Sequence, residues 1–185
     1  MELHQDPDPP ERGGWNKDGE QTAVEIDPMR LASAVERLRG EQSLFGGAAA
    51  GAAAALGGAA VWAAISAATG YQIGWMAIGV GFLVGFAVRL AGKGIDKAFG
   101  FLGATLALAG CVAGNLLTGC WYLAQSVDAE FVDVLAGLTP TLAAEILKAT
   151  FSPMDLLFYG FAVYEGYRLS FRQVTEEDLK DPFEG

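Results

Sequence analysis

Residues 44–69 read LFGGAAAGAAAALGGAAVWAAISAAT, without a single charged side chain. A bilayer's hydrocarbon core is about 30 Å thick and calls for about 20 mostly apolar residues in a helix. This stretch has the length and the neutrality, so it is read as a membrane span. Its transfer energy is weak, because alanine and glycine contribute little and Leu56 is the sole larger residue between Gly46 and Ala60. Insertion must then lean on Leu44, Phe45, Val61, Trp62 and Ile65, or on neighbouring spans.

Working outward, two further stretches qualify, Tyr71 to Leu90 and Phe99 to Gln125, and no charge appears in the first two spans before Arg89. A fourth, Pro153 to Phe171, contains Asp155, Glu165 and Arg168 and is cleanly apolar only from Leu156 to Tyr164. The expected fold is therefore all-α: a polytopic four-helix transmembrane bundle over residues 44–171, with spans at about 44–69, 71–90, 99–125 and 153–171. An outer loop at 126–152 joins the last two.

Lys and Arg in short flanks are retained on the cytoplasmic side. Arg30, Arg37 and Arg39 precede the first span, Arg89, Lys93 and Lys97 lie between the second and third, and Arg168 and Arg172 close the fourth. The turn around Thr69, Gly70 and Tyr71 is neutral, and the loop 126–152 holds Asp128, Glu130, Asp133 and Glu145 against Lys148 alone. Four spans with both termini inside satisfy every flank, whereas three would put Arg168 and Arg172 outside. Trp62, Tyr71, Trp75, Trp121 and Tyr122 then fall in the outer half or at its boundary, where aromatic belts form.

The charge of the whole chain fits this division. Of 185 residues, 52% are hydrophobic and 18% charged, against roughly 25% charged in an average soluble domain, and the net charge of −10 comes largely from the ends. Residues 1–43 form an acidic cytoplasmic tail broken by Pro7, Pro9, Pro10, Gly13 and Gly14, and 172–185 a second one. The polar, acidic start is unlike a secretory signal. Nucleic acid is not an expected partner, and two cysteines and one histidine exclude a disulfide scaffold or a multi-finger zinc protein.

Two connecting regions carry amphipathic patterns. Over residues 28–39, Leu31, Ala34, Val35 and Leu38 line one helical face behind an Asp27 and Pro28 start, predicting a helix that lies on the inner membrane surface or packs on the protein's own inner face. In the outer loop, Phe131, Val134, Leu135 and Leu138 form one stripe and Leu142, Ile146, Leu147 and Phe151 another, separated by Gly137 and Pro140. These predict a helical hairpin on the outer surface.

Few residues offer chemistry. Gly81 and Gly85, and Gly110 and Gly114, have the four-residue spacing of tight helix crossings, either a dimerisation face or ordinary packing inside one bundle. Gly79, Gly81 and Gly85 miss the dinucleotide spacing, and Gly92, Lys93 and Gly94 miss the phosphate-loop pattern. Cys111 and Cys120 fall on opposite faces of one helix, and His4 has no partner pattern, so no metal or other cofactor is expected. Ser152, Pro153 and Asp155 read as a helix cap. Glu165, near the inner boundary with Arg89 and Arg168, is read as part of a structural ion pair in preference to a proton relay, and Asn115, Thr118 and Gln125 as interhelical hydrogen-bonding groups.

The run GYQIGWMAIGVGFLVGFAVR from Gly70 to Arg89, followed by FGFLGATLALAGC from Phe99 to Cys111, resembles the core of small uncharacterised bacterial membrane proteins and covers roughly a quarter of the chain. The resemblance implies a bacterial inner-membrane address and no settled activity. The expected function is that of a non-enzymatic accessory or scaffold component, with the lipid bilayer as its medium and a protein partner or a second copy as its target. The alternative is a transporter or permeation component using Glu165 or Asn115. No catalytic constellation can be assembled from the spans.

Overall fold

The computed structural model describes residues 28–173, which among themselves form seven helices and no strand. They are α1 (Pro28–Gly40), α2 (Leu44–Thr69), α3 (Met76–Gly92), α4 (Lys97–Ser126), α5 (Phe131–Ala136), α6 (Pro140–Thr150) and α7 (Pro153–Leu169). The acidic tails up to residue 27 and beyond 173, with His4 and the expected Asp27 cap, lie outside the described residues.

Local sequence sets the helix ends. Ser43 caps α2 by accepting a hydrogen bond from the Gly46 N–H at 3.0 Å. At the other end Gly70 turns the chain in the left-handed region, φ 71°, which a residue without a Cβ adopts at no steric cost. Thr139 caps α6, with Pro140 in its first turn. At α7 the expected Ser152 and Asp155 cap is a full capping box: the Ser152 side chain accepts from the helix backbone, and the Asp155 carboxylate accepts the Ser152 N–H at 2.7 Å.

The four long helices form a bundle in which α3 and α4 are the central pair, α2 packs on both, and α7 packs on both from the other side. Glycine positions give their directions. Gly47, Gly51 and Gly58 of α2 face Gly92, Val88 and Val80 of α3, so these two run antiparallel. Gly110 and Gly114 of α4 face Ala55 and Trp62 of α2 in parallel order, and Gly81 and Gly85 of α3 face Ala162 and Gly166 of α7, again in parallel. The core consists of Val80, Val84, Val88, Ala107, Cys111 and Ala162 with Trp62 and Phe99 at its edges. Leu44, Phe45, Leu56, Leu90, Phe101, Leu156 and Phe161 point outward.

Two helices, α2 and α4, are long and apolar enough to cross a membrane, and α6 with α7 meets the same measure as one broken unit bent by 104°. The described residues thus carry two to three candidate spans by length and composition. At 1.5 Å per residue, α3 and α7 with 17 residues each rise about 26 Å, short of the full hydrocarbon thickness. The expected start of the second span at Tyr71 is corrected to Met76. Residues 70–75 form the connection, from which the Gln72 side chain turns into the bundle.

Three other expectations meet the structure at particular residues. Among the aromatics expected in the outer half or at its boundary, Trp62 is fully buried against Gly114, whereas Tyr71 and Trp75 are exposed. The connection expected as an outer hairpin contains two helices, but α5 and α6 each pack on α4 and neither packs on the other, with Ile146 of α6 seated in the notch left by Gly119. In α1, Ala34 and Leu38 are buried and Leu31 is half exposed, so its apolar face is turned into the protein.

The ends of α1, α3 and α7 and the starts of α2 and α4 meet at one end of the bundle, and so do Arg37, Arg39, Arg89, Lys93, Lys97, Arg168 and Arg172. A clasp ties the connections together there. Arg39 pairs with Asp96 at 3.4 Å, the Gln42 amide donates to Asp96 at 3.1 Å and its oxygen accepts from the Ile95 N–H. The Arg172 N–H donates to the Gly94 carbonyl at 2.8 Å, and its guanidinium pairs with Glu41 at 2.8 Å. That hydrogen bond from Arg172 holds the Glu41 carboxyl below the usual carboxylate range.

Candidate functional site

Polar side chains inside an apolar bundle are costly unless paired, so they mark where the structure has been arranged for something other than burial. The half of the bundle away from the cations holds five such groups on three helices and one connection. Ser66 of α2 and Asn115 and Thr118 of α4 are fully buried, Tyr159 of α7 is buried, and Gln72 reaches in from the α2–α3 connection.

Asn115 is the hub. Its Oδ1 accepts a hydrogen bond from Gln72 Nε2 at 2.9 Å, and its Nδ2 donates to the Tyr159 hydroxyl at 3.1 Å. That hydroxyl in turn donates to the Cys111 carbonyl at 3.3 Å, one helical turn before Asn115. Gln72 also reaches the Thr150 carbonyl at the end of α6, at 3.5 Å. One amide side chain therefore links α4, α7, the α2–α3 connection and α6. Both polar ends of Asn115 are satisfied inside the protein, which fits the interhelical role expected for it.

Thr118 behaves differently, bonding back to the Gly114 carbonyl of its own helix at 2.8 Å, and Gln125 lies exposed near the helix end. Beside this network, the indole Nε1 of Trp62 and the hydroxyl of Ser66 are buried without any hydrogen-bond partner in the protein. The Tyr122 hydroxyl reaches the Ser66 carbonyl at 3.5 Å.

Glu165 stands apart from this cluster. It pairs with Arg168 on its own helix at 3.8 Å, with the arginine largely exposed, and no ion pair joins Arg89 to a described residue. The expected grouping of Glu165 with both arginines is therefore only half assembled. α7 meets α3 at Gly85 through the Glu165 carbonyl and Leu169 Cβ, so the Glu165 backbone, and not its charge, makes the seam.

The four spaced glycines all lie inside the bundle. A methyl group on Gly81 would fall 2.6 Å from the Ala162 carbonyl oxygen, on Gly85 2.8 Å from Leu169 Cβ, on Gly110 2.8 Å from Val80, and on Gly114 2.8 Å from the Trp62 ring. Each serves a close approach within one chain. Cys111 and Cys120 are both free and buried, and no group of three or more His, Cys, Asp or Glu is close enough to hold a metal ion among the described residues.

Gln72, Tyr159, Trp62 and Ser66 were not legible as partners from the sequence. Gln72 carries a signal, as a lone amide in an otherwise apolar turn. Tyr159, in the sequence LLFYGF, carries none, since only the packing of α7 on α4 brings it to Asn115. Chemically the cluster offers neutral donors and acceptors. The nearest carboxylate on α7, Asp155, is one turn away and committed to capping.

No family model, no curated protein and no solved structure matches this chain.

Proposed function

We propose that this chain is a four-span protein of the bacterial cytoplasmic membrane, with both termini in the cytoplasm, that acts without catalysis as an accessory or scaffold component for another membrane protein. The observation that carries this reading is the outward face of α2. Ala49, Ala53, Gly57, Ala60, Ala64 and Ala68 follow one another along it, all exposed, and a methyl group on Gly57 would meet nothing within 4 Å. Association in lipid depends on close van der Waals packing, which small residues permit by letting backbones approach. Lipid tails gain little against such a surface, while a partner helix gains contact along its whole length.

Several features support the threading. α3 and α7 lie beside α2 and α4 in the bundle, so a membrane crossed by the long pair encloses the short pair. Seven cations gather at one end, and the other bears Asp128, Glu130, Asp133 and Glu145 with Lys148. The difference fits retention of basic flanks in the cytoplasm. An accessory role is favoured over permeation because the groups that could form a path are engaged, Asn115 with Gln72 and Tyr159 and Glu165 with Arg168.

The test replaces Gly57 and Ala53 by leucine and compares the proteins that co-purify with the native and altered chains from membranes in mild detergent. The open face leaves room for the new side chains, so the fold should melt as before while the companion is lost. Unchanged companions, or ion flux in proteoliposomes that Glu165→Gln abolishes, would overturn the reading.

A further inference from the structure

The face of α7 turned away from the bundle leads further. Pro153, Leu156, Leu157, Gly160, Phe161 and Tyr164 recur at three- and four-residue spacing and line a shallow apolar groove of about 660 Å³. Gly160 keeps its middle open, since a methyl group there would meet nothing within 4 Å. At 1.5 Å per residue the groove runs about 16 Å from Pro153 to Tyr164, close to the ~15 Å that one leaflet contributes to a hydrocarbon core of about 30 Å.

Polarity changes along this face in one direction. Leu156, Leu157 and Phe161 come first, then the exposed phenol of Tyr164. One turn later on the same face stands Arg168, its side chain 64% exposed and paired with Glu165 at 3.8 Å. The neighbouring helix brings a second guanidinium to this level. α3 meets α7 at Gly85, against Leu169 Cβ and the Glu165 carbonyl, and the half-buried Arg89 follows Gly85 by one turn. The inner end of the groove thus carries two arginines against one carboxylate. An apolar groove, a hydroxyl and a net positive charge repeat in order the acyl chain, ester and phosphate of a phospholipid.

We propose that α7 binds one anionic phospholipid of the cytoplasmic leaflet, with an acyl chain in the groove, its ester oxygens at the Tyr164 hydroxyl and its phosphate at Arg168 in the field of Arg89. Arginine suits phosphate because its N–H donors pair with the phosphate oxygens. Basic sites on the cytoplasmic side of spans favour acidic headgroups, whereas a zwitterionic headgroup brings its own cation to the same place and gains less. A second helix fits this face poorly. Exposed Leu, Phe and Tyr side chains hold backbones apart, and the small residues suited to helix contact lie on α2, across the bundle. The site rests on the proposed four-span threading, with the end of α7 inside, and not on the accessory role.

The experiment uses the full chain in a mild non-ionic detergent and counts by native mass spectrometry the phosphatidylglycerol or phosphatidylcholine, of matched chains, that it retains. A single phosphatidylglycerol should be held about fivefold more tightly than phosphatidylcholine, the worth of one uncompensated arginine beside an anionic headgroup. Arg168→Gln should abolish that preference. Gly160→Leu fills the groove at an open position, so it should weaken retention of both lipids while the lipid-free melting temperature stays native. Glycerol phosphate, which has no chains, should not be retained. Equal retention of the two lipids by the native chain, a preference that survives Arg168→Gln, or retention untouched by Gly160→Leu overturns the site. A chain that disperses freely once detergent is removed overturns the threading as well, whereas one that requires detergent yet shows no preference loses the site alone.

Discussion

The two ends of the bundle are fastened by different chemistry. At the cation-bearing end the connections are clasped by charged groups with substantial exposure: Arg39 with Asp96 and Arg172 with Glu41. At the opposite end the fastening is neutral and buried, running from Gln72 through Asn115 to Tyr159 and the Cys111 carbonyl. Charges can be used where water still solvates them, since an exposed pair pays little for desolvation and gains little in return. Between packed helices the same charges would carry a heavy desolvation cost, and uncharged amide and phenol groups make the links instead. The contrast predicts that the neutral end contributes more per contact, and the charged end responds more to solution conditions.

The largest effect should come from the seam that joins both ends. Gly81 touches the Ala162 backbone, which cannot rotate away as a side chain can, so Gly81→Leu should force α3 from α7 and load both fastenings at once. A loss of about 3 kcal/mol or more is expected, at the upper range of overpacking, and reversible unfolding in mixed micelles would measure it. Gly79, two residues earlier, has nothing within 4 Å of an added methyl group. Gly79→Ala should be neutral or slightly stabilising, by up to about 1 kcal/mol of helix propensity. Equal losses at the two sites would mean that α3 does not meet α7 along this face.

Next in size is the hub of the neutral end. Asn115→Ala removes two hydrogen bonds and leaves the Gln72 amide and the Tyr159 hydroxyl each short of a partner. The expected cost is about 2 kcal/mol, between the modest value of single interhelical bonds in membranes and the full cost of orphaned buried groups. Tyr159→Phe removes the phenol alone and should cost about 1 kcal/mol. A loss for Asn115→Ala no greater than that for Tyr159→Phe would show that Asn115 is not the hub.

How much of this was readable beforehand follows from which forces are local. The start of α7 and both ends of α2 coincide with their expected places, because caps such as Ser43, Gly70 and Ser152 act within a few residues and apolar periodicity is a local pattern. α3 begins five residues after the expected start of the second span, and in that connection Gln72 hydrogen-bonds Asn115, 43 positions away in sequence, a pairing that no local pattern encodes. The burial of Trp62 was not legible for the same reason: only the missing side chain at Gly114 creates the space that takes its ring. The four spaced glycines were legible as close-approach positions, but whether they meet within one chain or between chains depends on the bundle order. Glu165 and Arg168 were legible as a pair by their three-residue spacing, whereas Arg89 required a neighbour that packing does not supply.

The smallest effect separates the two ends most cleanly. Glu41→Gln removes the charge that accepts the Arg172 hydrogen bond at 2.8 Å, in a pair open enough to water that the loss of stability near neutral pH should be slight. Its dependence on conditions carries the information. Because the folded protein holds the Glu41 carboxyl below its unfolded value of about 4.3, the stabilisation is complete above that value and is lost as pH falls through the lower folded one. The native chain should therefore lose its small advantage over Glu41→Gln between mildly acidic pH and the folded value, and should lose part of it in concentrated salt, where the Debye length falls to about 3 Å at 1 M. Asn115→Ala carries no charge change, so its deficit should stay constant across the same pH and salt series. A deficit for Asn115→Ala that varied with salt as strongly as that for Glu41→Gln would mean that the distal end is hydrated and electrostatic after all, and the division of labour between the two ends would have to be abandoned.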